Sequence, residues 1–404
     1  MGSKKIIVIG GGAAGFFAAI NCKLMHPEYE VSILEKTTKL LSKVLVSGGG
    51  RCNVTHHCFD NAQLVKNYPR GEKELMQVFS RFAVKDTLDW FKKEGIEIRE
   101  ESDGRMFPAT NKSETIANCF LNMAEKLNIA IITQCEVFEI KKDEQFNLKT
   151  SKGNYKVDTV ICSSGGHNKS SAYQFISALG HKIIEPIPSL FTLNLPNESI
   201  KKELQGVAVK QAKVSIEGTK YFYEGPLLVT HWGLSGPAVL KLSAFAAAHF
   251  FESNYTNIIK INWVGSLKLN EITERLIEEK QSLTRSLVYN TPLFDLPRRI
   301  WEFLLNKAEI KTDANWPNIS NAQLNKLANQ LCNDAYKMEG KTTFKEEFVT
   351  AGGVDLKEVN FKTMESKLVS GLFFCGEVLN IDGITGGFNF QSAWSTAFVC
   401  AGSV

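Results

Sequence analysis

The chain has 404 residues, of which 44% are hydrophobic and 22% charged, with 30 glycines and 11 prolines; this composition can bury a large core and excludes disorder, collagen and coiled coil. At roughly 150 residues per domain, the length calls for two or three domains. Lysine and arginine number 47 against 43 acidic residues, a formal charge of +4, which leaves no electrostatic footprint for nucleic acid or anionic lipid, so neither partner is expected.

Lys4 and Lys5 before the apolar Ile6 to Ile9 imitate a secretion signal, but glycines at 10, 11, 12 and 15 break the helix such a signal needs. The longest apolar candidate for a membrane span, Ala238 to Phe251, is short and carries Lys241 and His249. Nine cysteines without a C-x-x-C read as reduced thiols, and the expected compartment is the cytoplasm. Cys52, His56, His57 and Cys58 have metal-ligating atoms but too compressed a spacing, so no metal is expected.

Lys5 to Ile9 is a β-branched apolar run that predicts a buried strand, and Ala13 to Met25 predicts a helix. Gly10-Gly11-Gly12-Ala13-Ala14-Gly15 joins them in G-x-G-x-x-G spacing. Gly10 suits the tight turn, Gly12 the approach of a pyrophosphate, and Gly15 the packing of helix on strand, while the helix N-terminus offers N–H groups to phosphate. Glu30 to Leu34 predicts the second strand, and Glu35 at its end suits the hydroxyls of an adenosine ribose. These features identify the ADP half of a dinucleotide, which NAD and FAD share.

Two later segments favour FAD. Val46 to Asn53 contains Ser47-Gly48-Gly49-Gly50-Arg51-Cys52-Asn53, a glycine run suited to lie along an extended cofactor. Gly371 to Glu377 predicts a buried strand ending in Gly376 and Glu377, followed by Gly386-Gly387-Phe388-Asn389 and a helix from about Gln391 to Cys400. Glu377 suits a ribityl hydroxyl, and the second helix start suits the negative charge of a reduced flavin.

The segments IGGGAAGFFAA at 9 to 19, SGGGRCN at 47 to 53, GRMFP at 104 to 108, VICSSGG at 160 to 166, THWGLSGPAVLKLS at 230 to 243, VTAGGV at 349 to 354 and the block from 363 to 395 resemble the BaiN/YhiN-like flavoproteins, over nearly the whole chain. The resemblance implies an α/β fold: a Rossmann-like FAD-binding domain built from both chain ends (1–189 and 344–404), with an inserted β-rich subdomain (190–265) and a helical subdomain (266–343). Lys210 to Tyr223 alternates as β-structure does, Leu267 to Tyr336 has helical spacing, and Pro186-Ile187-Pro188 marks a break. The expected cofactor set is Gly10, Gly12, Ala13, Ala14, Gly15, Glu35, Lys36, Lys43, Ser47, Gly48, Gly50, Arg51, Cys52, Asn53, Val137, Ser163, Ser164, Gly165, Gly376, Glu377, Gly386, Gly387, Phe388 and Asn389. The chain departs from the family pattern at Leu41-Ser42, before Lys43, and in the short His167-Asn168-Lys169-Ser170-Ser171 loop, which could remodel access to the flavin.

Flavin chemistry needs orientation, electrostatics and a proton donor from the protein. The candidates are Arg51 and Arg105, as clamps for a carboxylate or an enolate-like intermediate, and His231 as the donor. The alternative for His231 is a structural residue capping the helix that begins near Pro237; Trp232 reads as core. With a single G-x-G-x-x-G, no second nucleotide domain is expected, and NAD(P)H would be a transient reductant. The expected activity is an FAD-dependent oxidoreductase with noncovalent FAD and a small organic substrate. The alternative is a flavin-containing RNA-modification or RNA-binding protein.

Overall fold

A computed structural model describes residues 3–196, 199–342 and 349–404. The chain divides into two compact units, Met1–Ser189 with Lys345–Val404, and Leu190–Phe344.

The first unit is organised by a mainly parallel sheet. Its strand β1 (Lys5–Ile9) leads through the glycine turn into α1 (Ala13–Met25) and β2 (Glu30–Leu34). Ile6 to Ile9 are buried, as expected of a strand covered on both faces. The helix α2 (Ser42–Gly50) is followed by the short strands β3 (Thr55–His56) and β4 (Arg105–Pro108), which pair antiparallel, with Ile98–Glu100 on the far side of β4. β5 (Ala130–Ile132) pairs with β2, while β6 (Thr159–Cys162) pairs with β1 and β7 (Leu372–Phe374) with β6, all parallel. The last helix, α3 (Phe388–Ala401), packs on α1, with Phe17 and Trp394 ring centroids 5.3 Å apart. The chain end thus completes the domain that the chain start begins.

Pro186 and Pro188 do not break the structure as expected. They lie inside the strand Ile183–Ser189, which pairs with Val349–Val354 across an irregularity between Ile184 and Ile187. A two-stranded sheet has only edges, so an imino nitrogen that cannot donate is tolerated there.

The second unit is a seven-stranded antiparallel sheet with helices. In spatial order its strands are Asp334–Glu339, Thr256–Asn262, Ala208–Ile216, Phe222–Val229, Gly233–Ser235, Thr192–Asn194 and Lys341–Thr342. The helices Leu269–Ser282, Arg298–Lys307 and Asn321–Asn333 bury Leu276, Trp301, Leu304 and Leu331 in the same core as Val214, Ile261 and Trp263 from the sheet. The β-rich and helical stretches, read separately from sequence, therefore share one core. Tyr336, read as the end of the helical run, lies in a strand. Trp232, read as core, is 48% exposed. No helix among the described residues is long and apolar enough to cross a membrane.

Candidate functional site

The three motif glycines of the turn have different surroundings. Gly10 has φ +111°, and a methyl group there would lie 2.4 Å from the Ser163 carbonyl oxygen. One on Gly15 would lie 1.9 Å from the Gly10 carbonyl oxygen, so α1 rests directly on the turn, whereas one on Gly12 would meet nothing within 4 Å. Gly12 has no side-chain cap, and no acid stands in the first turn of α1. The N–H groups that a helix start leaves without internal partners, those of Ala13 and Ala14 among them, are thus suited to a pyrophosphate.

Glu35 is fixed at the end of β2. One carboxylate oxygen accepts the Gly11 N–H at 2.8 Å, and the other accepts the N–H and hydroxyl of Thr37, each at 2.8 Å. Beside it opens a cavity of about 490 Å³, lined among others by Lys36, Val137, Ser164, His167 and Phe175. Its size falls in the range of ligand cavities. The short loop after Gly166 lines this cavity through His167, Ser171 and Ala172. The Ser164 hydroxyl is buried and has no hydrogen-bond partner, an orphan that an adenosine or ribose group would satisfy. Burial, with the nearby Lys36 cation, pushes the His167 imidazole down to about 4, so the cavity holds a neutral ring at neutral pH. These residues fit the ADP half of FAD.

The far end of the site is built where the Gly48 run meets α3. Gly48, Gly49 and Gly50 have φ of +59°, +69° and +80°, ending α2 in a left-handed turn in which the Arg51 and Cys52 N–H groups both donate to the Ser47 carbonyl. Gly387 stands before α3 with φ +93°, and a methyl group there would lie 2.5 Å from the Thr55 carbonyl oxygen and 2.8 Å from Asn53 Oδ1. The glycine loop and the α3 N-terminus are therefore in contact. Gly376 closes onto α1, where an added methyl would lie 2.6 Å from the Ala14 Cβ. Gly165, with φ +77°, faces open space, and Gly386 has φ +128°.

Several expected cofactor residues have their side chains committed elsewhere. The Asn389 amide is spent on both backbone groups of Gly383, at 2.8 and 2.9 Å. The Ser163 hydroxyl donates to the Ile9 carbonyl at 2.9 Å. Phe388 is buried, with its ring 4.6 Å from that of His56. Burial pushes the Cys52 thiol up to about 12. These four side chains brace the site, and their backbone groups are suited to touch a ligand. Glu377 and Lys43 form an ion pair, and Glu377 also accepts the Thr350 N–H at 3.1 Å.

Arg51 and Arg105 come together. Glu101 takes Arg51 on one oxygen and Arg105 on the other, at 2.5 and 3.1 Å, and both guanidinium groups lie over the Phe107 ring. His231 lies in the second unit on an exposed bend beside Trp232. Gly236, not His231, stands at the start of the helix Pro237–Phe245. Sequence reasoning passed over the buried pair of Arg70 and Asp382, which also accepts the Ser189 hydroxyl at 2.7 Å. It also missed Gln391, whose amide joins Thr55, Thr87 and Ser395. No spacing rule links residues this far apart. Among the described residues no cluster of three or more His, Cys, Asp or Glu is arranged to hold a metal ion.

The chain is 30% identical over 411 residues to the ribosomal RNA dihydrouridine synthase of Escherichia coli (strain K12), covering 98% of this chain and 96% of that protein. It is 24% identical over 407 residues to the 3-dehydro-bile acid delta(4,6)-reductase of Clostridium scindens, covering 98% of each. Its fold is similar to that of 3-ketosteroid delta1-dehydrogenase from Sterolibacterium denitrificans, with a TM-score of 0.53, 11% identity and coverage of 100% of this chain and 99% of that one. Residues 4–403 match the HI0933-like protein Rossmann domain, and the chain belongs to that family of FAD-binding oxidoreductases.

Proposed function

We propose that this protein reduces a carbon–carbon double bond conjugated to a carbonyl, with the uracil ring of ribosomal RNA as substrate and noncovalent FAD as cofactor. The reaction type is carried by one observation: two relatives that differ in substrate bear names describing the same chemistry. A dihydrouridine synthase saturates a ring double bond beside a carbonyl, and a 3-dehydro-bile acid delta(4,6)-reductase saturates ring double bonds of a ketone. The RNA substrate rests on the higher identity of the first, 30% against 24%.

FAD, when bound, supplies the hydride. The protein supplies the rest. α1 and the Ser164 cavity hold the adenosine diphosphate end, Glu35 the ribose, and Glu377 with Lys43 the middle. The α3 N-terminus favours negative charge at the ring end. Adding hydride to the carbon β to a carbonyl places negative charge on the carbonyl oxygen, which a cation or N–H donor beside it stabilises. Arg51 and Arg105, beside the glycine loop that abuts the α3 N-terminus, are the cations assigned that role. NAD(P)H serves as a transient reductant.

A small lipophilic enone is the second reading, favoured by the bile acid relative and by the modest charge of +4. Deleting the gene and analysing ribosomal RNA nucleosides by mass spectrometry separates the two. Dihydrouridine should vanish from the deletion strain and return with the wild-type gene. Unchanged dihydrouridine would remove the RNA substrate.

A further inference from the structure

The Arg51, Arg105 and Glu101 cluster is more ordered than a surface ion pair needs to be. Arg51 follows the Gly48 run and donates from Nε to the Gly48 carbonyl at 3.3 Å. Arg105 opens β4, directly opposite His56 on β3. Their guanidinium carbons lie 4.0 and 5.4 Å from the centroid of Phe107, which is itself only 2% exposed. A buried ring under two planar cations fixes both forks in orientation. Two guanidinium groups held over one ring repel each other, and Glu101 offsets this by giving one oxygen to each.

Asp103 also pairs with Arg105, through Nε at 2.7 Å, and Glu101 is the carboxylate that bridges both cations. It sits in the tight turn to Arg105, closed by the Gly104 N–H donating to the Glu101 carbonyl at 2.9 Å, and its side chain is 36% exposed. A carboxylate that gives one oxygen to each of two forks has the bridging geometry of a phosphodiester, whose two unesterified oxygens can do the same. The cluster also adjoins the ring end of the cofactor site. An added methyl on Gly48 would lie 2.9 Å from the Phe107 ring, and Asn53, next in the same loop, abuts Gly387 at the start of α3.

We infer that Arg51 and Arg105, seated on Phe107, form a platform for a phosphate group of the substrate, and that Glu101 occupies it until that phosphate displaces its carboxylate. The inference rests on the RNA reading for the source of the phosphate. On that reading, the phosphate beside the target nucleotide docks on the platform, and the base reaches the α3 N-terminus. Glu101 then acts as an internal competitor that keeps the platform closed to weak anions.

The test uses holoprotein with its FAD content measured in every variant, and two probes: a fluorescent uridine-containing single-stranded RNA oligomer and inorganic tripolyphosphate. For the RNA, Arg105→Met should weaken binding about tenfold and lower the slope of log affinity against log salt by about one, with Arg105→Lys intermediate. Glu101→Gln should tighten binding several-fold, a gain that misfolding cannot produce. Tripolyphosphate should respond to the same variants in the same directions. If RNA binds and its uracil is reduced, but the variants keep wild-type affinity and slope for both probes, the platform is wrong and the RNA function stands. If tripolyphosphate responds as described while RNA neither binds nor reacts, the platform stands for a free phosphate ligand and the RNA function falls. If neither probe responds to Glu101→Gln and Arg105→Met, the platform is overturned.

Discussion

Lys43 and Glu377 stand 334 positions apart in the chain and form an ion pair in the first unit. Glu377 belongs to the short turn after β7 and Lys43 to the first turn of α2, so the pair ties the C-terminal return of the chain to the helix that leads into the glycine run. Its side chains are 18% and 48% exposed, and a pair this wet contributes at most about 1 kcal/mol to stability. On the proposed cofactor reading, the pair aligns a carboxylate for a polyol hydroxyl. Glu377→Gln should therefore weaken FAD binding by about 1 to 3 kcal/mol while shifting the melting temperature of the apoprotein little. Flavin titration and thermal melts of the same preparation check both halves.

Ser164 gives a second, opposite-signed pair of expectations. Its buried hydroxyl has no partner in the protein, so Ser164→Ala should leave apoprotein stability unchanged or raise it, since an unmet buried hydroxyl costs about 1 to 3 kcal/mol. FAD affinity should fall by about 0.5 to 1.5 kcal/mol, the usual net value of a hydrogen bond. Unchanged FAD affinity in the variant would remove Ser164 from the site.

Gly12 and Gly15 should separate binding from folding. An added methyl meets nothing at Gly12 but lies 1.9 Å from a backbone oxygen at Gly15. Gly12→Ala is expected to fold normally and lose flavin, because the methyl occupies the space a pyrophosphate needs. Gly15→Ala should destabilise the first unit by about 1 to 3 kcal/mol, the usual cost of overpacking. Circular dichroism melts with flavin content read both outcomes.

His167 sets a pH dependence. Burial lowers its imidazole from 6.5 to about 4, so between those values the unfolded chain binds the proton more readily than the folded one. The contribution is fully present above 6.5 and is lost as pH falls toward about 4. Apoprotein melting temperature should decline across that window, and His167→Gln should flatten this part of the profile. An identical decline in the variant would assign it to other groups.

The Rossmann core was legible because its signals are local. The bounds of β1, α1 and β2 follow from a continuous apolar run, a glycine turn and a second apolar run, and Gly10 and Gly387 take the left-handed backbone that only glycine adopts cheaply. What escaped was non-local. The Asn389 amide looks like a ligand group in sequence, and only the turn at Gly383 shows where it is spent. Trp232 reads as core because its size suggests burial, but it lies on a bend and is 48% exposed. Arg51 and Arg105 were both expected near the chemistry, yet their sharing of Glu101 depends on the pairing of two short strands that carry almost no periodic signal.

The proposed activity is reduction of the conjugated carbon–carbon double bond of uracil in ribosomal RNA. Its most direct test is a single-turnover reaction: holoprotein flavin is reduced anaerobically with one equivalent of dithionite and mixed with ribosomal RNA from a strain lacking the gene. Flavin reoxidation is followed optically and the nucleosides by mass spectrometry. The expected result is stoichiometric return of the oxidised flavin spectrum with a matching gain of dihydrouridine. A flavin that stays bleached with the RNA, while a steroid-type enone reoxidises it, would contradict the claim.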